Sequence, residues 1–292
     1  MITVPSKKTT TTNATTKTTT TTKTTVATTA KPQGTPLRVL SIGNSFSQDA
    51  HKYLAKMAEA EGKRFTLVNL YSAGCNLKKH YENWETNTGI YDYESNGVKV
   101  ASNVTLDAVL ESHTFDVITL QQASYTSVNY KNYQPYLDNL LRLVRQSQPQ
   151  AKIYLHQTWA YGDAHENHQK YASTTGGSMA AMWKLVENAY NQAASDTGLS
   201  LIPCGLAIQN AQTELNKGAY SETSIQRDGA HVSYTWGRYL LARVWYQALT
   251  GDIPTVTLDQ INTSVTADAA METLVAKAAA AAFAAYPADP II

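Results

Sequence analysis

The 292-residue chain contains no apolar run of about 18 residues, the least that spans a bilayer as a helix. Its nearest approach, Ala276–Ala285, is too short and too weakly hydrophobic, so no membrane partner is expected. A strong charge of one sign is also missing, with 24 basic and 23 acidic residues and a formal net charge of +1. Acidic residues are absent from the first 36 positions, which hold 17 threonines and Lys7, Lys8, Lys17, Lys23 and Lys31. Without those lysines the rest of the chain stands at −4, which excludes the basic footprint of a nucleic-acid binder. The Thr-rich tract has almost no apolar residue to anchor it to a core and reads as a disordered or extended linker over residues 1–36. Met1–Lys8 carries no apolar signal core, and a start inside a linker leads us to expect a piece of a longer, secreted polypeptide with flanking modules.

Cysteine is scarce. Cys75 and Cys204 are the only two, and the strand order derived below puts them near opposite sheet edges. That is roughly 19 Å, or four strand spacings of about 4.8 Å, against a limit of about 7 Å between bridged Cα atoms. No disulfide is expected.

Residues 37–292 suit a single catalytic domain. Short β-branched or apolar runs alternate with helical periods, the pattern of a parallel sheet covered by helices. Strands are predicted at Leu37–Ile42, Phe65–Tyr71, Asp116–Gln121, Lys152–Gln157 and Leu199–Pro203. Right-handed crossovers give the flavodoxin-like order 2-1-3-4-5, a five-stranded parallel sheet in a three-layer α/β/α sandwich. Helices are predicted near Gln48–Glu61, Tyr133–Ser147, Ser178–Thr197, Tyr234–Leu249 and Ala267–Ala285. The stretch Ile90–Ser102 reads as a surface hairpin about Asn96-Gly97, a pair suited to a type I′ turn.

The first strand ends in Gly43-Asn44-Ser45-Phe46-Ser47 before a helix. A serine there meets the free N–H groups and partial positive charge of the helix start, which suits a nucleophile whose reaction develops an oxyanion. The alternative is an N-cap serine, with Ser47 the competing cap. Far downstream, Arg227-Asp228-Gly229-Ala230-His231 supplies a general base and a carboxylate to orient it. Asp-x-x-His alone says little, but joined to a strand-end serine it points to a Ser45–His231–Asp228 triad.

Together these motifs resemble the SGNH hydrolase superfamily, which includes GDSL-type lipases and carbohydrate acetyl esterases. The resemblance covers residues 37–250. Gly43-Asn44-Ser45 matches its first block and Asp228 with His231 its last. Gly74, in Tyr71-Ser-Ala-Gly-Cys-Asn76, matches the second-block glycine whose N–H lines the oxyanion hole. The usual asparagine of the third block is missing; Leu120-Gln121-Gln122-Ala123-Ser124 stands there. The resemblance implies a glutamine amide as third donor, from Gln122 or, if the register shifts by one, Gln121. It also implies an acyl-enzyme esterase needing no cofactor and no metal.

Aromatic residues recur where the catalytic rim is expected: Tyr71, Tyr81, Trp84, Tyr91, Tyr93, Tyr125, Tyr130, Trp159 and Tyr161. Flat rings with a polar tip suit a sugar face. Trp159, Tyr161, Tyr125 and Asn44 are the expected substrate contacts, and an acetylated oligo- or polysaccharide the expected substrate. Competing readings are an inactive glycan-binding protein, a lipase or esterase of non-carbohydrate esters, and a phosphate or nucleotide site at Gly43–Ser47. His165-Glu-Asn-His168 with Asp163 has the look of a metal chelate but no further ligands, and reads as a solvated loop. His51, His80, His113 and His156 receive no role.

Overall fold

The computed structural model describes residues 34–292, so nearly all of the Thr-rich tract lies outside the described residues. The chain runs β1 (Leu37–Gly43), α1 (Ser45–Ala60), β2 (Phe65–Tyr71), α2 (Leu77–Glu85), β3 (Tyr91–Ser95), β4 (Val98–Val104), α3 (Leu106–Ser112) and β5 (Val117–Leu120). It continues through α4 (Tyr136–Ser147), β6 (Lys152–His156), α5 (Glu166–Lys170), α6 (Ala172–Thr175), α7 (Met179–Thr197) and β7 (Ser200–Ile202). The last elements are α8 (Cys204–Leu215), α9 (Trp236–Thr250), α10 (Leu258–Ile261) and α11 (Ala269–Ala285).

One sheet orders these strands β4-β3-β2-β1-β5-β6-β7. The five expected strands are all there, parallel and in the expected order, because β1 pairs β2 and β5, and β6 pairs β5 and β7. The sheet nonetheless has seven strands, not five. The Asn96-Gly97 hairpin is no surface insertion: β3 pairs antiparallel with β2, and β4 with β3. Both turn residues take the positive φ of the expected turn, 48° and 76°. What draws the hairpin into the sheet is burial on β3: Tyr91 is wholly inside, and the buried Glu94 accepts from Asn69 Nδ2 of β2 at 2.9 Å.

β1 is buried along nearly its whole length, as a strand covered on both faces should be. On one side α1 packs on α9, which with α8 and α11 forms a continuous helical layer. The other layer holds α2, α3 and α4, with α7 joined through the turns at Ser124–Asn132. Helix α8 was not foreseen, since its Ala- and Gln-rich sequence follows β7 with only Pro203 between and shows little periodic contrast. Both cysteines are buried and free. No helix among the described residues is long and apolar enough to cross a membrane.

Candidate active site

Ser45 is the first residue of α1, at the carboxyl end of the central strand. The helix begins there and not at Gln48 because Asn44 is the N-cap: its Oδ1 accepts from Phe46 N at 2.9 Å, while Asn44 N donates to Ser47 Oγ at 3.1 Å. The capping box leaves the Ser45 side chain unused by the cap. Gly43 is required by this arrangement, since a Cβ there would sit 2.1 Å from Ser47 Oγ.

The second half of the site is a pinched loop. Gln226 and Val232 bridge antiparallel, Arg227 N donates to His231 O at 3.0 Å, and Ser233 N to Ile225 O at 2.7 Å. Between them, Asp228 Oδ1 accepts from the N–H groups of Ala230 (2.9 Å) and His231 (2.7 Å). Asp228 Oδ2 lies 2.8 Å from His231 Nδ1, and His231 Nε2 lies 2.9 Å from Ser45 Oγ. A carboxylate can only accept, so Nδ1 carries the proton and the Nε2 lone pair faces the serine hydroxyl. Partial burial pushes the Asp228 carboxyl upward, but the two backbone N–H groups and the His231 ring outweigh it and bring it down to about 2.

Three hydrogen bonds tie this loop to the segment that follows β6. Trp159 Nε1 donates to Ala230 O at 2.7 Å, Gly162 N to Gly229 O at 2.6 Å, and Gln226 Nε2 to Ala160 O at 2.9 Å. On the other side, wholly buried Asp49 of α1 binds Arg227 at 2.9 Å and Arg238 at 2.7 Å. Both guanidinium groups also stack on the Tyr234 ring, 4.5 and 4.6 Å from its centroid. The helix bearing Ser45 is thereby tied to the residue preceding Asp228.

Gly74 is the third residue of the turn closed by Cys75 N donating to Ser72 O at 3.1 Å, and its φ of 60° is what a type II turn demands there. Asn44 Nδ2 donates to Cys75 O at 2.9 Å, holding this turn beside Ser45. Among the described residues the N–H groups of Ser45 and Gly74 have no acceptor, and both residues line one cleft.

Neither glutamine lines that cleft. Gln121 Nε2 donates to Asn44 Oδ1 at 2.7 Å while its Oε1 accepts from His156 Nδ1 at 2.9 Å. Gln122 Nε2 donates to Asn132 O at 3.1 Å, and its Oε1 accepts from Leu77 N at 3.2 Å and Ala123 N at 3.0 Å. The expectation of a glutamine as third oxyanion donor is therefore corrected: both amides are buried and turned to protein partners, Gln121 serving the cap.

The cleft measures about 290 Å³. Of the rim aromatics, Tyr71 and Tyr161 line it. Trp159 does not; it is 1% exposed and packs tilted against Phe46 with centroids 4.2 Å apart, a buttress and no substrate contact. Tyr125 is 44% exposed but stacks on Tyr171 outside the cleft. Asn44 lines the cleft with its amide engaged on both ends. His165 lines it too, although the sequence offered it only as part of a metal motif. His168, its partner in that motif, is buried between Tyr161 O and Thr175 Oγ1, and no group of three metal-ligating side chains occurs among the described residues.

A three-layer α/β/α fold with a strand-end serine, histidine and aspartate in hydrogen-bonded series defines the class, that of SGNH-type folds. The chain belongs to the family described as a domain of unknown function, DUF4886, whose model matches residues 38–284. A crystallised DUF4886 family protein from Bacteroides uniformis is 30% identical, with a TM-score of 0.74 over 88% of this chain and 98% of that one. A protein from Slackia heliotrinireducens, proposed to be an SGNH hydrolase, shares the fold at 21% identity and a TM-score of 0.52, over 73% of this chain and 98% of that one. No curated protein matches.

Proposed function

We propose that this protein is a serine esterase that removes O-acetyl or similarly small acyl groups from carbohydrate through an acyl-enzyme. The observation that carries the reading is the continuous series Ser45 Oγ–His231 Nε2 and His231 Nδ1–Asp228 Oδ2, at 2.9 and 2.8 Å, opening on a cleft at a helix start. As Ser45 Oγ attacks the ester carbonyl, His231 takes its proton; as the tetrahedral intermediate collapses, His231 returns that proton to the leaving alcohol. Water, deprotonated by the same imidazole, then releases the acid. Asp228 stays ionised and holds the tautomer. The Ser45 and Gly74 N–H groups bind the oxyanion. With no glutamine in the cleft, the hole has two backbone donors.

The small cleft and its two tyrosines support a compact acyl group on a sugar over a long acyl chain. The Thr-rich tract fits a tether to further modules in a secreted polysaccharide-degrading protein, and such glycans are the partners proposed.

The test is acetate release from 4-nitrophenyl acetate and from a panel of acetylated plant polysaccharides, by wild type, Ser45→Ala and His231→Ala. The reading expects turnover by wild type and its loss in both variants, by a factor on the order of 10³ or more. Wild-type protein that binds glycans without releasing acetate would instead mark a binding module.

A further inference from the structure

His165 is a titratable side chain in the cleft that the triad does not use. It is the N-cap of α5, where its Nδ1 accepts from Asn167 N at 3.1 Å. That bond leaves the ring proton on Nε2. One face of the ring stacks on Tyr161 with centroids 4.2 Å apart and planes 8° from parallel. At its base stands Gly229 of the catalytic loop, where a Cβ would come within 3.1 Å of His165 Cβ. The ring is thus held in place by a cap, a stack and the neighbouring backbone. Among the described residues its Nε2–H has no protein acceptor. Burial lowers the ring's pKa; Glu166 and Asp228 oppose that by smaller amounts while His168 and His231 add to it, so the ring is neutral at neutral pH.

His231 protonates the departing alcohol in the reading above, and His165 lines the same cleft beside the same loop. Resting on the esterase reading above, we propose that His165 Nε2–H donates to an oxygen on the carbon next to the ester-bearing carbon of the leaving alcohol. The substrate class is then the monoester of a vicinal diol, the unit that a partly acylated sugar ring presents. A fixed, neutral donor makes such a bond without bringing a charge into the cleft. The bond strengthens recognition of the alcohol and takes no part in proton transfer.

Two matched esters test this: cyclohexyl acetate and trans-2-hydroxycyclohexyl acetate, which differ by the neighbouring hydroxyl. Wild type should favour the hydroxy ester in kcat/KM by about tenfold, what one neutral hydrogen bond supplies. His165→Asn keeps an acceptor for Asn167 N–H but cannot reach the Nε2 position, and should bring the ratio toward one. His165→Gln restores an N–H at that reach without the cap, and should recover part of the preference. No preference in wild type, or an equal loss on both esters in His165→Asn with no recovery in His165→Gln, overturns the assignment. Failure of wild type to hydrolyse either ester overturns the esterase reading itself, and this proposal with it.

Discussion

One oxygen of Asp228 faces the backbone of its own loop and the other faces the imidazole. Asp228→Asn keeps an oxygen for the Ala230 and His231 N–H groups but can turn an amide donor toward Nδ1, favouring the wrong tautomer. We expect kcat to fall on the order of 10³–10⁴ with a small change in KM, read by steady-state kinetics. The same substitution reports on pH. The folded carboxyl is held at about 2, below the ordinary value of about 3.9. Its stabilisation is therefore in full above about pH 4 and is lost as pH falls through about 2. Urea midpoints of wild type and Asp228→Asn should differ at pH 7 and converge over that window. Asn44 makes a second case at this scale: Asn44→Ala removes the cap of α1 and the tie to the Gly74 turn together. The cap alone is worth about 0.5–2 kcal/mol, and calorimetry should show at least that loss. The position of Asn44 at the strand end was legible in the sequence; the partners of its amide were not.

Two elements that are far apart in sequence make the site, and Asp49 joins them. Its carboxylate sits between Arg227 and Arg238 with no exposure. Removing one partner of a buried ionic cluster leaves uncompensated charge, at a cost of about 3–5 kcal/mol. Asp49→Ala should lose that much in denaturant unfolding. In the folded fraction it should lower kcat more than KM, because Arg227 precedes Asp228 in the loop. Nothing in the spacing of Asp49, Arg227 and Arg238 announces the cluster, since it depends on how α1 packs on α9. The parallel strands were legible because each is a short apolar run bounded by turns. The Asn96-Gly97 hairpin was legible as a hairpin, but its place in the sheet was not, because β3 pairs through backbone groups that any sequence possesses.

Across the molecule, burial pushes His51, His80 and His156 each down to about 3. The unfolded chain protonates such rings below about pH 6.5, while the folded chain does not until near pH 3. Folding therefore weakens as pH falls through that window, by about 1.4 kcal/mol per pH unit for each ring. Urea midpoints measured from pH 7 to pH 4 should decline steeply, and His51→Gln should flatten the slope by about a third. A flat wild-type profile would mean that these rings are not neutral inside the fold.

The sequence by itself determined the order of the five parallel strands and the nearness of Asp228 to His231. Period-two and helical patterns are local, crossovers have one hand, and the Asp-x-x-His pair closes within a single tight loop. Only the tertiary structure decided where the side chains of Gln121, Gln122 and Trp159 go, and that His165 reaches the cleft. Each of those outcomes depends on partners ten or more residues away: Asn44 and His156 for Gln121, Asn132 and Leu77 for Gln122, Ala230 for Trp159 and Gly229 for His165. A buried amide or indole N–H turns to whichever partner packing brings within hydrogen-bond reach, and that is set by the assembled layers and not by the residues on either side of it.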